Sequence, residues 1–324
     1  MQYGIYGFSN SFTTEALLPE YKGSTFRGVF GIALRNIVCA LRQQECNDCL
    51  LRRRCLYPFI FETAAFPDHQ LFPAGSAGRR RVAAPPHPYV IEPPESDKTR
   101  YAEGDSFNFN LILLGKANEY VPYFIYALEQ MGRIGVGKRV NGMRGRFVLR
   151  DVQSEGTPIY NLGEKVLLDG NFTRDLKADL LKGMKESENL SIKNVSLSIS
   201  TPLRIKFMSQ LHAELPFHVL VRAMLRRISI LCNYYGNGEP PLDYRGLVER
   251  AQAVTISSTT LRWIDWERYS NRQEQAMLMG GLIGDMTCRG ELSEYLPLMK
   301  FCEKVHLGKQ SAFGLGKIRV TEVK

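Results

Sequence analysis

The stretch HLGKQSAFGLGK, residues 306–317, gathers a histidine, two lysines, a serine and three glycines ahead of a last apolar run. Glycines let backbone N–H groups approach a phosphate without side-chain interference. Lys309 and Lys317 add positive charge, and Gln310 and Ser311 add hydrogen-bond donors. His306 stands at the mouth of the stretch, and an imidazole with a pKa near 6.5 suits proton transfer. The residues predict a loop shaped by Gly308, Gly314 and Gly316 that grips an anion beside a histidine. The alternative is a tight turn with solvated lysines. A nucleotide-type P-loop is excluded: Gly316-Lys317 is followed by Ile318, and Ser311 stands where the leading glycine belongs. A dinucleotide fingerprint is excluded because a strand-like run, KIRVTEV, follows rather than a helix.

Other residues compete for the proton-transfer role. His218 lies in PFHVLVRAMLRRIS, which has helical apolar spacing, and His212 lies just before it. A lone histidine on such a helix is commonly structural. His69 and His87 fall in a loop-rich region and are poor candidates.

Cations also cluster elsewhere. YKGSTFRG places Lys22, Ser24, Thr25 and Arg27 at a predicted helix start, where free N–H groups and the helix dipole attract phosphate. Ser24 serves equally as a plain N-cap. WERYSNRQ offers Arg268, Tyr269 and Arg272 at a predicted hairpin tip, suited to base stacking and phosphate contact. The alternative makes Trp263, Trp266 and Tyr269 partly core. The runs LRRRC and GRRR read as solvated faces that can extend such a track.

Four of the seven cysteines run Cys39-x6-Cys46-x2-Cys49-x5-Cys55. Four thiolates fill a tetrahedral zinc shell with no open position, so the role is structural. An iron–sulfur cluster takes the same ligands, and four unligated thiols, with Cys39 packed in a helix, are the third reading. An odd cysteine count argues against a disulfide framework.

The elements that position these residues repeat. MGRIGVGKRVNGMRGRFVLRDV (131–152) lies on CEKVHLGKQSAFGLGKIRVTEV (302–323), with Gly137-Lys138 on Gly308-Lys309 and Gly145-Arg146 on Gly316-Lys317. Arg144 and Arg146 thus mirror the C-terminal loop. TFRGVFGIALRNIV (25–38) lies on PFHVLVRAMLRRIS (216–229), with Arg35 on Arg226. Each half follows an alternating, strand-like start, YGIYGFSNSFTT or VSLSISTPLRIKF. The offsets of the two matches differ by 20, which places extra residues in 44–100 of the first half. The expected fold is α+β: two tandem ferredoxin-like, RRM-like β-α-β-β-α-β domains with a cysteine-rich insertion in the first. The expected boundaries are 1–155 with the insertion at about 39–100, a polar connector at 156–192, and 193–324.

The 324 residues carry a net charge of +9, which favours a polyanion such as nucleic acid. No apolar run is long enough to span a membrane, and MQYGIYGFSN lacks the pattern of a secretory signal, so a cytoplasmic protein is expected.

Taken together, the two halves, the glycine-rich loop and YKGSTFRGVFGIALR resemble the RAMP superfamily of CRISPR-associated RNA-binding proteins. With CNDCLLRRRCLYPFIFE, RWIDWERYSNRQ and GGLIGDMTCRGEL, the pattern is similar to the CRISPR repeat-processing endoribonucleases, in a cysteine-containing branch. The fuller family signature has a glycine where His306 stands, and many relatives carry a catalytic histidine on or just after the first helix, where this chain has none. The resemblance implies metal-independent cleavage of precursor crRNA. The 2′-hydroxyl attacks the adjacent phosphate and leaves a 2′,3′-cyclic phosphate and a 5′-hydroxyl. His306, His218 and Lys309 are the catalytic candidates. Lys22, Ser24, Arg27, Arg144, Arg146, Arg268, Tyr269, Arg272, Gly308, Gln310, Ser311, Gly314, Gly316 and Lys317 are the RNA-binding candidates. A RAMP subunit that binds guide RNA in an effector complex without cutting, beside other CRISPR subunits, is the second reading. A generic zinc-containing RNA binder is the third.

Overall fold

The structure is a computed structural model that describes residues 1–63, 85–161, 163, 166–207, 210–211, 214–265, 267–270 and 275–322. Most of the loop-rich run 63–89, with His69, and also His212 and Arg272, lie outside the described residues. The chain divides into two units, Gln2–Arg174 and Asp175–Lys324, the latter including Met1. Both mix helices with antiparallel sheet, as the ferredoxin-like expectation requires.

In the N-terminal unit, β1 (Gln2–Phe12) is followed by β2 (Ala16–Leu17), α1 (Gly23–Val38), α2 (Leu56–Phe61), β3 (Tyr89–Glu92) and β4 (Arg100–Tyr101). β5 (Ser106–Leu114), α3 (Val121–Ile134), β6 (Val136–Val140), β7 (Met143–Gly145), β8 (Phe147–Ser154) and β9 (Thr157–Asn161) complete it. The main sheet runs β3-β5-β1-β8-β9. Alternation along β1 and β5 turns Phe8, Phe12, Phe107 and Phe109 to one face, where Phe26 of α1 meets them. Phe8 stacks on Phe109 at 5.3 Å and Phe12 lies tilted against Phe107 at 4.6 Å, within the range for favourable ring pairs. α1 is helical because Phe26, Val29, Phe30, Ala33 and Leu34 recur at the helical period and bury together.

In the C-terminal unit, α4 (Leu176–Ser187) leads to β10 (Asn194–Leu203), α5 (Phe217–Tyr235), α6 (Tyr244–Arg250), β11 (Thr255–Thr259) and β12 (Arg262–Ile264). Then come β13 (Glu267–Ser270), β14 (Gln275–Leu278), β15 (Gly281–Arg289), α7 (Leu296–Val305) and β16 (Ile318–Glu322). The sheet runs β11-β15-β10-β16, and β13 pairs with β14 as a separate hairpin. β10 buries Val195, Leu197 and Ile199 and leaves Ser196, Ser198 and Ser200 on its other side. A one-residue slip would reverse those faces.

The expected connector 156–192 has structure of its own. Thr157–Asn161 extends the first sheet as β9, and α4 belongs to the C-terminal unit, with Asp179 3.7 Å from Lys304 of α7. The two glycine-rich stretches also differ in form. Asn141 and Gly142 both have positive φ, at 50° and 82°, and close β6 and β7 into a hairpin, as Asn-Gly does. The C-terminal stretch instead makes a single 3-10 turn over Ser311–Phe313.

Candidate nucleic-acid interface

The loop 306–317 is strapped to the end of β10. Gly316 N–H donates to the Pro202 carbonyl at 3.1 Å, Lys309 N–H to the Arg204 carbonyl at 3.0 Å, and Leu307 N–H to the Gly316 carbonyl at 2.9 Å. The Thr201 hydroxyl donates to the Gly314 carbonyl at 2.9 Å and accepts from Lys317 N–H at 2.8 Å. Gly316, with φ +73°, has no room for a side chain, because a Cβ there would run into the Leu307 carbonyl oxygen.

His306 is fully buried at 0% exposure. It terminates α7 with φ 58°, and its Nδ1 lies 3.1 Å from the Leu315 carbonyl, so the ring braces one side of the loop against the other. Its carbonyl and that of Val305 accept from Arg227 of α5 at 3.1 and 2.7 Å. A cation at a helix C-terminus satisfies orphan carbonyls and opposes the dipole. Burial lowers the Arg227 pKa to about 10. The expectation that His306 exchanges a proton with RNA is corrected here: a ring wholly inside the fold and facing a backbone carbonyl has no route to a ribose on the surface.

Lys309, by contrast, is exposed and sits among cations. Its pKa is lowered, first by partial burial and then by Lys206, Arg204 and Arg226. Arg226 projects from α5 and is exposed, as is Arg222 one turn earlier; half-buried His218 lies one turn before that. A spacing of four residues puts the three on one helix face, about 12 Å from first to last. Of the other loop candidates, Ser311 is buried, Lys317 is half-buried, and Gln310 adopts φ 62° with its side-chain oxygen buried and without a hydrogen-bond partner among the described residues. Gly308 and Gly314 have φ of 84° and 86°.

The remaining predicted contacts scatter. Lys22 is fully buried, its ammonium donating to the Glu20 and Ser96 carbonyls at 3.0 and 2.5 Å, which corrects its assignment to RNA. It also occupies the N-cap position of α1, so Ser24 lies inside the first turn rather than capping it. Arg27 is half-buried and contacts His87. Arg144 and Arg146 are exposed on and after β7, beside exposed Lys138 and Arg139. Arg268 and Tyr269 lie in β13, in register with Met277 and Ala276.

Cys39, Cys46, Cys49 and Cys55 are free, half-buried thiols. Burial pushes Cys46 and Cys55 up; Cys39 and Cys49 push Cys55 the same way, and Cys55 and Cys39 do so for Cys46. No three His, Cys, Asp or Glu side chains among the described residues converge tightly enough to hold a metal ion.

Residues 1–172, over half the chain, match a family described as the AF_1859 N-terminal domain. Residues 197–318 match the family described as CRISPR-associated endoribonuclease Cas6. The chain belongs to the AF_1859 family, and its residues 197–318 are similar to the Cas6 endoribonuclease family. An uncharacterized protein of Archaeoglobus fulgidus is 27% identical over 308 residues, covering 94% of this chain and 92% of that one. Among solved structures, a partial Cas6-RT-Cas1–Cas2 complex aligns at TM-score 0.57 and 16% identity, covering 99% of this chain; this chain spans only 46% of that one. A Cas6 product complex aligns at TM-score 0.52 and 14% identity, covering 99% of this chain and all of that chain. At such identities the likeness is one of fold.

The region similar to the Cas6 family thus contains the loop, Arg204, Lys206, Arg226 and the His218 face. Sequence reasoning missed Arg204, Lys206 and Arg226. The signal was present: Arg226 falls opposite Arg35 in the match between halves, and Arg204 and Lys206 alternate in PLRIKF. No helix is long and apolar enough to cross a membrane among the described residues.

Proposed function

We propose that this protein is an endoribonuclease that binds and cuts CRISPR repeat RNA in precursor crRNA. The reading is carried by one observation: within the region matching the Cas6 endoribonuclease family, the exposed Lys309 of the glycine-rich loop, whose N–H donates to the Arg204 carbonyl at 3.0 Å, feels the positive charges of Lys206, Arg204 and Arg226. Four cations gathered without a neutralising carboxylate among the groups that shift Lys309 suit a polyanion. In this reading they grip the phosphates and bear the charge that builds as the 2′-hydroxyl attacks the adjacent phosphorus. The 5′-oxygen leaves, and a 2′,3′-cyclic phosphate and a 5′-hydroxyl result, with no catalytic metal. With His306 enclosed, proton transfer falls to His218, on the helix face shared with Arg222 and Arg226. The tandem ferredoxin-like arrangement and a cytoplasmic location belong to the same reading.

A denaturing gel of repeat RNA with purified protein in EDTA tests it. The expected result is one shortened product ending in a cyclic phosphate, lost in His218→Ala while binding persists. The enclosure of His306 favours a second reading, a RAMP subunit that holds guide RNA beside other CRISPR subunits without cutting it; binding with no product at any time establishes that one. The cysteine quartet has the donor chemistry of a structural zinc site, with Cys39, Cys46, Cys49 and Cys55 as ligands that tie the insertion to α1. Elemental analysis is expected to find one zinc per chain, lost in Cys49→Ser. Iron, or no metal, would overturn that assignment.

A further inference from the structure

The open side of the C-terminal sheet carries a row of hydroxyls. In register across three strands, Ser196 of β10 lies between Thr287 of β15 and Thr321 of β16, and Ser198 lies between Asp285 of β15 and Arg319 of β16. Residues directly opposite one another on antiparallel strands project from the same face. Neighbouring strands lie about 4.8 Å apart, so the backbones of Asp285 and Arg319 stand about 9.6 Å apart with a serine between them. The central strand bears the shortest side chains of the three, which makes this face a shallow trough with a serine floor. Ser196 and Ser198 are half-buried, while Asp285, Arg319 and Thr321 are exposed. Ser198 lies three residues, about 10 Å, before Thr201, which is hydrogen-bonded to the glycine-rich loop. Two opposite charges stand on the rims. The Asp285 backbone is fixed by the next segment, its N–H donating to the Thr260 hydroxyl at 3.0 Å and its carbonyl accepting from Thr260 N–H at 2.8 Å. Neither the Asp285 carboxylate nor the Arg319 guanidinium has an ion pair or hydrogen bond among the described residues.

We propose that this trough takes a single strand of RNA, with Arg319 on a phosphate and the Asp285 carboxylate reading a guanine. The inference rests on the RNA reading above and adds a base preference to it. An ionised carboxylate only accepts hydrogen bonds, through two oxygens. Guanine alone among the four bases sets two N–H donors, N1–H and N2–H, side by side on its pairing edge. Adenine, cytosine and uracil place an acceptor beside their donor, and an acceptor-only group repels it. The pairing edge must be free to meet Asp285, so the strand is unpaired at that point. None of the floor and rim positions is aromatic, so a base here is chosen by its edge rather than by stacking. A lone carboxylate on such a face weakens the hold on every strand that lacks the paired donors, which is specificity obtained by rejection. Arg319, across the floor, offsets that charge and carries the donors a phosphate needs. These positions hold no apolar side chain for a protein to bury, which favours RNA over a protein partner.

The test is to sequence the strands that the protein retains from a random pool of single-stranded RNA. The wild type should enrich guanine at one position, and replacing that guanine by inosine, which lacks only the N2 amino group, should weaken binding about tenfold. Asp285→Ala should lose the preference, with guanine and inosine then bound within about twofold of each other. Asp285→Asn, whose amide offers one acceptor and one donor, should move the preference from guanine to adenine, an exchange that a folding defect does not give. Arg319→Ala should weaken binding to all sequences alike and flatten the salt dependence, with the guanine preference kept. A guanine preference that survives in both Asp285 variants would overturn the proposal, as would wild-type binding with no base preferred at any position. Should both variants fail to fold, inosine decides alone on the wild type: binding about tenfold weaker supports the proposal, and equal binding overturns it. Wild-type protein that retains no RNA sinks the RNA reading itself; wild-type binding that Asp285→Ala leaves unaltered in affinity and preference sinks only this inference.

Discussion

Removing one cation from the Lys309 cluster should change how RNA binding responds to salt. Each phosphate neutralised on a single strand releases counterions, and the slope of log affinity against log salt is about −0.7 per contact. If Arg204, Lys206, Arg226 and Lys309 each engage a phosphate, the cluster contributes a slope of about −2.8. Raising salt fourfold, from about 50 to about 200 mM, then weakens binding about 50-fold through this cluster alone. Lys309→Ala leaves a contribution of about −2.1, and the same rise costs about 20-fold. Lys309 is the residue to change because it is exposed and its side chain braces nothing in the loop; its backbone N–H, which binds the Arg204 carbonyl, survives the substitution. Binding to a labelled repeat RNA by fluorescence anisotropy at five salt concentrations gives the slope directly. Arg226→Ala should reproduce the change from a different element. Weakened binding with an unaltered slope would refute the reasoning, because it would mean that Lys309 supports the loop rather than meeting a phosphate.

Gly316→Ala should destabilise the protein by about 3 kcal/mol, combining a left-handed backbone with a collision at the Leu307 carbonyl. Thermal unfolding should show a fall of several degrees, and a midpoint within 1 °C of the parent, roughly the noise of such a scan, would contradict the packing described. Acid should weaken the fold through His87. Its pKa falls from 6.5 when unfolded to about 4 when folded, so its contribution is complete above the unfolded value. That contribution declines as pH drops from about 6.5 and is gone below about 4, a loss of about 3 kcal/mol. Urea unfolding near both limits should show His87→Gln losing less than the parent; equal losses would place the acid sensitivity elsewhere.

Much of this arrangement is legible in the sequence. Alternation in SFNFNLILL and in VSLSIS announces strands with one buried face, and β5 and β10 follow it. The spacing of Phe26, Val29, Phe30, Ala33 and Leu34 announces α1. The glycines of 308–316 announce left-handed backbone, which the loop adopts. What local pattern does not carry is the direction a polar side chain takes. Lys22 reads as a cation at a helix start, yet two backbone carbonyls draw it inside. His306 reads as a reactive group beside a loop, yet it closes the end of α7. Arg204, Lys206, Arg226 and Lys309 meet only through tertiary folding, so no spacing along the chain brings them together. Asn141-Gly142 is a hairpin signal in the sequence, and β6 and β7 pair across it.

The anchoring of loop 306–317 has a consequence for specificity. Its backbone is tied at Pro202, Arg204, Thr201 and Arg227, and five of its residues hold left-handed angles. Such a frame has little room to reshape itself around a guest, so under the proposed function discrimination among RNAs comes from the tips of the side chains it displays. Exchanging the residue at 309 should then retune the grip, while changes at Gly316 or Arg227 should dismantle the frame. Under that reading, sequence preference is tunable on a scaffold that itself scarcely alters.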